Sequence, residues 1–414
     1  MIEPIILARA VHFAATALAA GSVCFVVLVA EPAFGRARGL PAWRRRVTIV
    51  TWSALAVAIA SGAAWLALLA ADIYGAPVVA VCLHGGLWEV LTGTRFGAVW
   101  SGRLAIAAAL ALMLLWPAAR WLQLAAAAAL IALLAFVGHA GATPGDAGQL
   151  HLASDVVHLI AAGAWLGGLP PLALLLASAG QPKGLAGRAA RRFSTLGIAG
   201  VAALLASGIV NSWMLLSGPR DLIATDYGRL LFLKIGLFVA MLAIAAVNRF
   251  HLTPRLSAAR ARHALMRNSL AETALGAGVL LLVGALGTME PAAHHHLPSL
   301  EIPADAAFVH IHSEQAMADV LIDPGRAGTA NASIRVMHED SSEFPADEIR
   351  FTLDPPSPGP QPIDRSAVHQ PDGNWRVDGL ALGAPGNWTV RVIVPVEGGK
   401  QIVLDAPIVI APPQ

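Results

Sequence analysis

Charged side chains are scarce in this chain: Asp, Glu, Lys and Arg together make up 13% of 414 residues, too few to clothe an ordinary soluble protein of this length. Cysteine is nearly absent. Cys24 and Cys82 are the only two, so a disulfide framework and thiolate metal ligation are both poorly supported, and each is expected as a small buried hydrophobe. No phosphate-cradling loop of the P-loop pattern is evident, which argues against ATP-driven work. The start, Met1-Ile2-Glu3-Pro4, lacks a basic region, so a cleaved signal is not expected there. The net charge of +2 comes without a basic nucleic-acid patch, and no nucleic-acid partner is expected.

What the chain has instead is apolar length. Hydrophobic residues reach 56% and the mean hydropathy is +0.64. Runs long enough to cross about 30 Å of hydrocarbon lie at 5–30, 47–71, 98–117, 121–138, 152–177, 194–216, 229–249 and 269–288. A shorter run, Ala76 to Leu91, contains His84, Gly85, Gly86 and Glu89 and reads as a surface-lying or re-entrant helix. Arginine and lysine gather in alternate loops: Arg36, Arg38 and Arg44 to Arg46 in 31–46, Lys183, Arg188, Arg191 and Arg192 in 178–193, and five arginines in 249–268. The loops 72–97, 139–151 and 217–228 carry only Arg95 and Arg220 between them. The positive-inside rule puts the first set inside and the second outside, with both termini outside.

From about residue 297 the texture changes. Prolines cluster at 354–360, and short alternating runs such as 308–312, 332–337, 349–353, 388–394 and 401–404 are separated by Gly, Pro, Asn and Asp. The expected fold is an all-α polytopic membrane bundle of eight helices over 1–290, a His-rich linker over 291–300, and a small all-β sandwich over 301–414 on the outer side. About 110 residues can bury a sufficient core without a disulfide.

Five of the fourteen histidines lie in or at the ends of the long apolar segments: His12, His84, His139, His151 and His158. An ionisable group at membrane depth is costly and usually marks a pathway or a ligand site. The charge-derived topology brings all five to the outer side. In the fifth span His151, Ser154, Asp155 and His158 follow i, i+3, i+4, i+7 spacing and share one stripe. The two imidazoles are then roughly 10 Å apart along the axis, too far for both to hold one ion from a straight helix. Each either serves its own site or joins His12 or His139 from a neighbouring helix, with Asp155 placed to orient an imidazole. A second set follows the last span: His294, His295 and His296, then His310 and His312, which share a face if that segment is a strand, with Met317 and Met337 able to supply sulfur. Neutral imidazole suits copper, zinc and iron, and thioether favours Cu(I).

Other polar groups in apolar sequence have cheaper readings. Lys234 is expected to snorkel, Glu272 to pair with an arginine such as Arg249 or Arg192, and Trp43, Trp100, Trp116, Trp121 and Trp213 to mark interfaces.

The chain resembles the CopD family of bacterial inner-membrane copper proteins. The likeness rests on Val157 to Leu169, on Arg192-Phe193-Ser194 with Ser207-Gly208 and Asn211, on Tyr227-Gly228-Arg229-Leu230-Leu231 with Lys234, and on Asn248-Arg249. Thr94-Arg95-Phe96-Gly97 with Trp100 and Arg103 adds to it, and the match covers about 1–290. The resemblance implies copper handling at the inner membrane, commonly beside a periplasmic CopC-type copper carrier. The C-terminal sandwich has no such match. The resulting expectation is a non-enzymatic copper permease that admits copper ions, Cu(I) or Cu(II), through a histidine-lined outer site. The alternative from another class is a membrane b-type cytochrome or oxidoreductase in which paired histidines ligate haem.

Overall fold

The computed structural model describes residues 3–34, 40–138, 145–178, 184–216, 218–289, 303, 305–313, 316–338, 344–356, 361–396 and 400–413. They fall into two compact units, a helical one drawn from 1–70 and 78–293 and a second to which 294–414 belong.

Eight helices among the described residues are long and apolar enough to cross a membrane, as the sequence predicts. Helix α1 (Pro4–Cys24) starts with proline at its first turn, where the missing N–H costs nothing. It runs on through a π-helical stretch, Phe25–Ala30, into α2 (Glu31–Phe34). This first span is apolar all round and is the most buried of the eight, as expected for a helix at the centre of a bundle. Next come α3 (Pro41–Tyr74), the short α4 (Val78–Leu83) and α5 (Gly86–Gly93), α6 (Arg95–Leu114) and α7 (Arg120–Ala132). The segment around His84 is therefore two short helices rather than a crossing. They are separated at Gly85, whose φ of +84° is a left-handed conformation open to glycine.

The fifth span is broken. Helix α8 (Gly145–Leu166) stops at Gly167-Gly168, and α9 (Leu169–Ala177) restarts with Pro170 in its first turn. The glycines do more than interrupt. A Cβ on Gly167 would sit 1.9 Å from the Ala17 carbonyl oxygen, and one on Gly21 would sit 2.4 Å from the Gly163 carbonyl, so α1 and α8 meet backbone to backbone. Helices α10 (Leu185–Leu215), α11 (Asp221–Ala224), α12 (Asp226–Val247) and α13 (Ala259–Leu286) complete the unit, with α12 ending in a π-helical turn, Asn248–Leu252. Its main core joins Phe25, Trp43, Trp165, Phe193 and Met241. Trp43 is buried there, with its Nε1 donating to the Pro171 carbonyl at 3.1 Å, and Trp100 is buried against Trp65 and Phe96, so these two are packing residues rather than the interface markers expected. Trp116, Trp121 and Trp213 are exposed, as expected for such markers.

The second unit is a sandwich of two antiparallel sheets. One has five strands in the order β1-β2-β3-β7-β6 and the other four in the order β5-β4-β8-β9. The strands are β1 (Ala307–His312), β2 (Met317–Asp323), β3 (Gly328–Met337), β4 (Arg350–Asp354), β5 (Ile363–Ser366), β6 (Val368–His369), β7 (Trp375–Leu382), β8 (Gly386–Val396) and β9 (Lys400–Ile410). Alternate residues of β8, Trp388, Val390, Val392 and Val394, point into the shared core against Ile334, Phe351 and Leu404, the period-two signal the sequence carried.

Candidate functional site

Alternating spans bring the start of α1, the α3–α6 connection, the start of α8 and the start of α12 to one end of the helical unit. The polar residues of that end form two networks.

The first is built on α8. His151 is buried and Ser154, Asp155 and His158 follow it along the stripe. Neighbouring α10 supplies the partners. Ser154 Oγ donates to the Ser207 carbonyl at 3.1 Å, and Asn211 Nδ2 donates to Asp155 Oδ1 at 3.0 Å. Ser207 Oγ gives its own proton to the Ala203 carbonyl at 2.6 Å, so at 3.0 Å from His158 Nδ1 it acts as acceptor. The proton of a neutral His158 therefore sits on Nδ1 and the lone pair on Nε2, the nitrogen a metal would take. Lys234 of α12 is half-buried and within electrostatic reach of both Asp155 and His158. The snorkelling expectation took no account of these neighbours on α8.

The second network holds His12. Its Nδ1 lies 2.8 Å from the Ala58 carbonyl, where it must donate, and its Nε2 accepts from an Arg103 guanidinium nitrogen at 2.7 Å. Trp65 and Trp100 pack on the ring at centroid distances of 5.8 and 5.1 Å. Both ring nitrogens of His12 are engaged within the protein in this arrangement, by groups of α3 and α6 rather than of α8. His84 is exposed between α4 and α5, with Nδ1 2.7 Å from the Ala80 carbonyl. His139, His294, His295 and His296 lie outside the described residues. Among the described residues no three His, Cys, Asp or Glu side chains converge in a metal-holding group.

At the opposite end of the bundle Glu272 is buried, but its partner is not arginine. Asn248 Nδ2 donates to Glu272 Oε1 at 2.5 Å, Asn268 donates to Asn248 Oδ1 at 2.7 Å, and Arg249 is taken by Ser194 Oγ at 2.7 Å. Asn248 is the first residue of the π-helical turn that follows α12. A cavity of about 440 Å³ beside this cluster is walled chiefly by apolar side chains, among them Trp165, Phe193 and Leu205.

In the sandwich, strand register places His310 opposite Asp319, and Asp319 opposite Arg335. His310 Nδ1 and Asp319 Oδ1 lie 2.5 Å apart, and Arg335 Nε donates to Asn374 Oδ1 at 2.8 Å. Asp372 accepts from the Asn374 backbone N–H and then from its side-chain amide, and these bonds hold its carboxyl below the usual carboxylate range. Two residues further along the strands, position 312 pairs with Met317 and Met317 with Met337, with both methionines buried. The buried Asp319 was missed as a partner of His310 because β2 was not expected as a strand.

These features define a multi-pass membrane protein with a histidine–carboxylate network at one end of its bundle and an appended antiparallel sandwich. Residues 187–286 match copper resistance protein D, and residues 1–149 match the copper resistance protein D-like N-terminal domain. The chain belongs to the copper resistance protein D family. It is 36% identical over 211 residues to the inner membrane protein YebZ of Escherichia coli (strain K12), covering 50% of this chain and 72% of that protein. It is 31% identical over 220 residues to copper resistance protein D of Pseudomonas syringae pv. tomato, covering 49% of this chain and 71% of the relative. It is 28% identical over 328 residues to the copper transport protein CutJ of Bacillus subtilis (strain 168), covering 74% of this chain and 57% of CutJ. No solved structure matches.

Proposed function

We propose that this protein is a copper permease of the bacterial inner membrane that accepts copper ions from the periplasmic side and passes them towards the cytoplasm, without enzymatic chemistry. The observation that carries the reading is the α8 stripe: His158, turned by Ser207 so that Nε2 is the coordinating nitrogen, shares a helix face with Asp155 and His151. The bundle end that holds it is the one away from the arginine-rich loops, which the positive-inside rule assigns to the periplasm together with both termini. His151 and His158 are too far apart along one helix to share an ion, so they act as successive weak sites between which copper exchanges, with His139 at the mouth. His12 joins only if Arg103 releases its Nε2.

The sandwich is read as the collecting module. His310 with its Nδ1 held by Asp319, the thioethers of Met317 and Met337, His312 and the run His294 to His296 are its donors, soft or borderline groups that suit copper, and His84 is a separate donor on the helical unit. A periplasmic CopC-type carrier is the donor partner this arrangement would accept. No observation favours haem: the Nε2 that His12 would need for axial ligation is held by Arg103.

Copper uptake into proteoliposomes tests the reading. Wild-type protein is expected to load the vesicles, and the double variant His151→Ala, His158→Ala to lose at least about tenfold of that rate, the lower end of what removing metal-site groups costs. Equal uptake by the two proteins would overturn the site.

A further inference from the structure

Arg103 is a cation placed where cations are most expensive. It is 3% exposed, it lies in the first half of a membrane span, and among the described residues no carboxylate is ion-paired with it. Its hydrogen bonds go to neutral acceptors, the Leu130 carbonyl at 2.5 Å and His12 Nε2 at 2.7 Å, and its guanidinium carbon is 5.4 Å from the Trp100 ring centroid. A second buried guanidinium, Arg9, lies 4.8 Å from the Trp65 ring centroid and is likewise without a carboxylate. An isolated buried charge costs several kcal/mol even after relaxation.

Two donors at this place are left over. Arg103 Nε and Thr16 Oγ1 are both buried with no hydrogen-bond partner, and Thr16 is 0% exposed. Both residues line one small cavity of about 20 Å³, together with His12, Gly62, Trp100 and Leu130. A volume of ~10–15 Å³ on this measure already admits one water-sized occupant. The chemistry of the wall selects which occupant. Arg103 Nε–H can only donate, the Thr16 hydroxyl can donate, and the accepting nitrogen of His12 is already taken. A water would fill the space and satisfy hydrogen bonds but leave the charge uncompensated.

We propose that this cavity is a binding site for a small monovalent anion, with chloride the fitting size, held by Arg103 Nε–H and Thr16 O–H. The anion neutralises Arg103 where no carboxylate does, and it completes the set of partners that pins the guanidinium beside His12. On the copper-permease reading it also removes from this end of the bundle a positive charge that would oppose an arriving cation. The site itself does not depend on that reading.

The test uses the full chain purified in detergent, with chloride titrated against gluconate at constant ionic strength and with no copper present. The expected result is a saturable rise in the unfolding temperature and a saturable change in tryptophan fluorescence, because Trp100 walls the cavity. Thr16→Val removes one hydroxyl at nearly constant volume and should weaken chloride binding by about tenfold, the worth of one hydrogen bond to a charged group. Arg103→Gln should abolish the response, and if it does not fold the threonine variant still decides. Bromide soaked into crystals should give anomalous density between the two donors. A non-saturable response, equal responses in wild type and Thr16→Val, or bromide absent from the cavity would each overturn the site and leave a buried water in its place.

Discussion

Ser207 Oγ stands 3.0 Å from His158 Nδ1 while its own proton is committed to the Ala203 carbonyl, so one hydroxyl fixes both the tautomer and the direction of the imidazole. The consequence is specific to the copper reading. Ser207→Ala leaves every histidine in place and removes only the group that turns His158, and loss of such an orienting partner costs about 10–100-fold in metal affinity. Competition of purified protein against a Cu(I) chelator should show a weakening of that order. An unchanged affinity would remove His158 from the copper path.

The α1–α8 crossing gives a prediction independent of function. A methyl on Gly167 would meet the Ala17 carbonyl at 1.9 Å, and backbone cannot step aside as a side chain can. Gly167→Ala should therefore lower stability by about 1–3 kcal/mol, the usual range for overpacking, or prevent assembly of the bundle. Gly102, on α6, has nothing within 4 Å of such a methyl, and Gly102→Ala should be neutral or stabilising by up to about 1 kcal/mol. Thermal unfolding of the two variants in one detergent compares them directly.

The eight spans were legible because an uninterrupted apolar run has few alternatives in a chain so poor in charge, and the α8 stripe was legible because helical periodicity alone puts His151, Asp155 and His158 on one face. What faces that stripe was not. Ser207 and Asn211 are about fifty residues away in sequence, Arg103 is ninety-one residues from His12, and no local pattern says which helix packs on which. Lys234 and Glu272 were both read from their places near a span end, Lys234 as snorkelling and Glu272 as the partner of an arginine, whereas packing sets Lys234 within electrostatic reach of Asp155 and gives Glu272 the Asn248 amide. Strand β2 escaped notice because it is buried on both faces and so does not alternate, and with it went Asp319.

Glu272 provides a stability test of that correction. Its carboxylate accepts from Asn248, so Glu272→Gln retains an accepting oxygen and should unfold close to wild type. Glu272→Ala strands the buried Asn248 amide and should cost about 1–3 kcal/mol, read as a fall in unfolding temperature. If both variants behaved alike, Asn248 would not be the partner that matters.

The sandwich offers the last test, because its candidate donors can be separated from its fold. His310 and Asp319 are held against each other on β1 and β2, and the buried Met337 lies one register step from Arg335 along β3. Met337→Leu keeps the volume and the apolar character of the side chain, so it should cost less than about 1.5 kcal/mol and report on sulfur alone. Asp319→Ala should do two things: leave His310 without the carboxylate on Nδ1, lowering stability by about 1–3 kcal/mol, and loosen the ring that would bind copper through Nε2. If this face collects copper, both variants of the full-length protein should bind less metal at a sub-stoichiometric chelator challenge, while the His151→Ala, His158→Ala protein should retain the binding that the sandwich contributes. Metal content that fell only in Asp319→Ala, in step with its lost stability and with Met337→Leu unchanged, would assign the His310–Asp319 pair to folding and take the methionines out of the copper route.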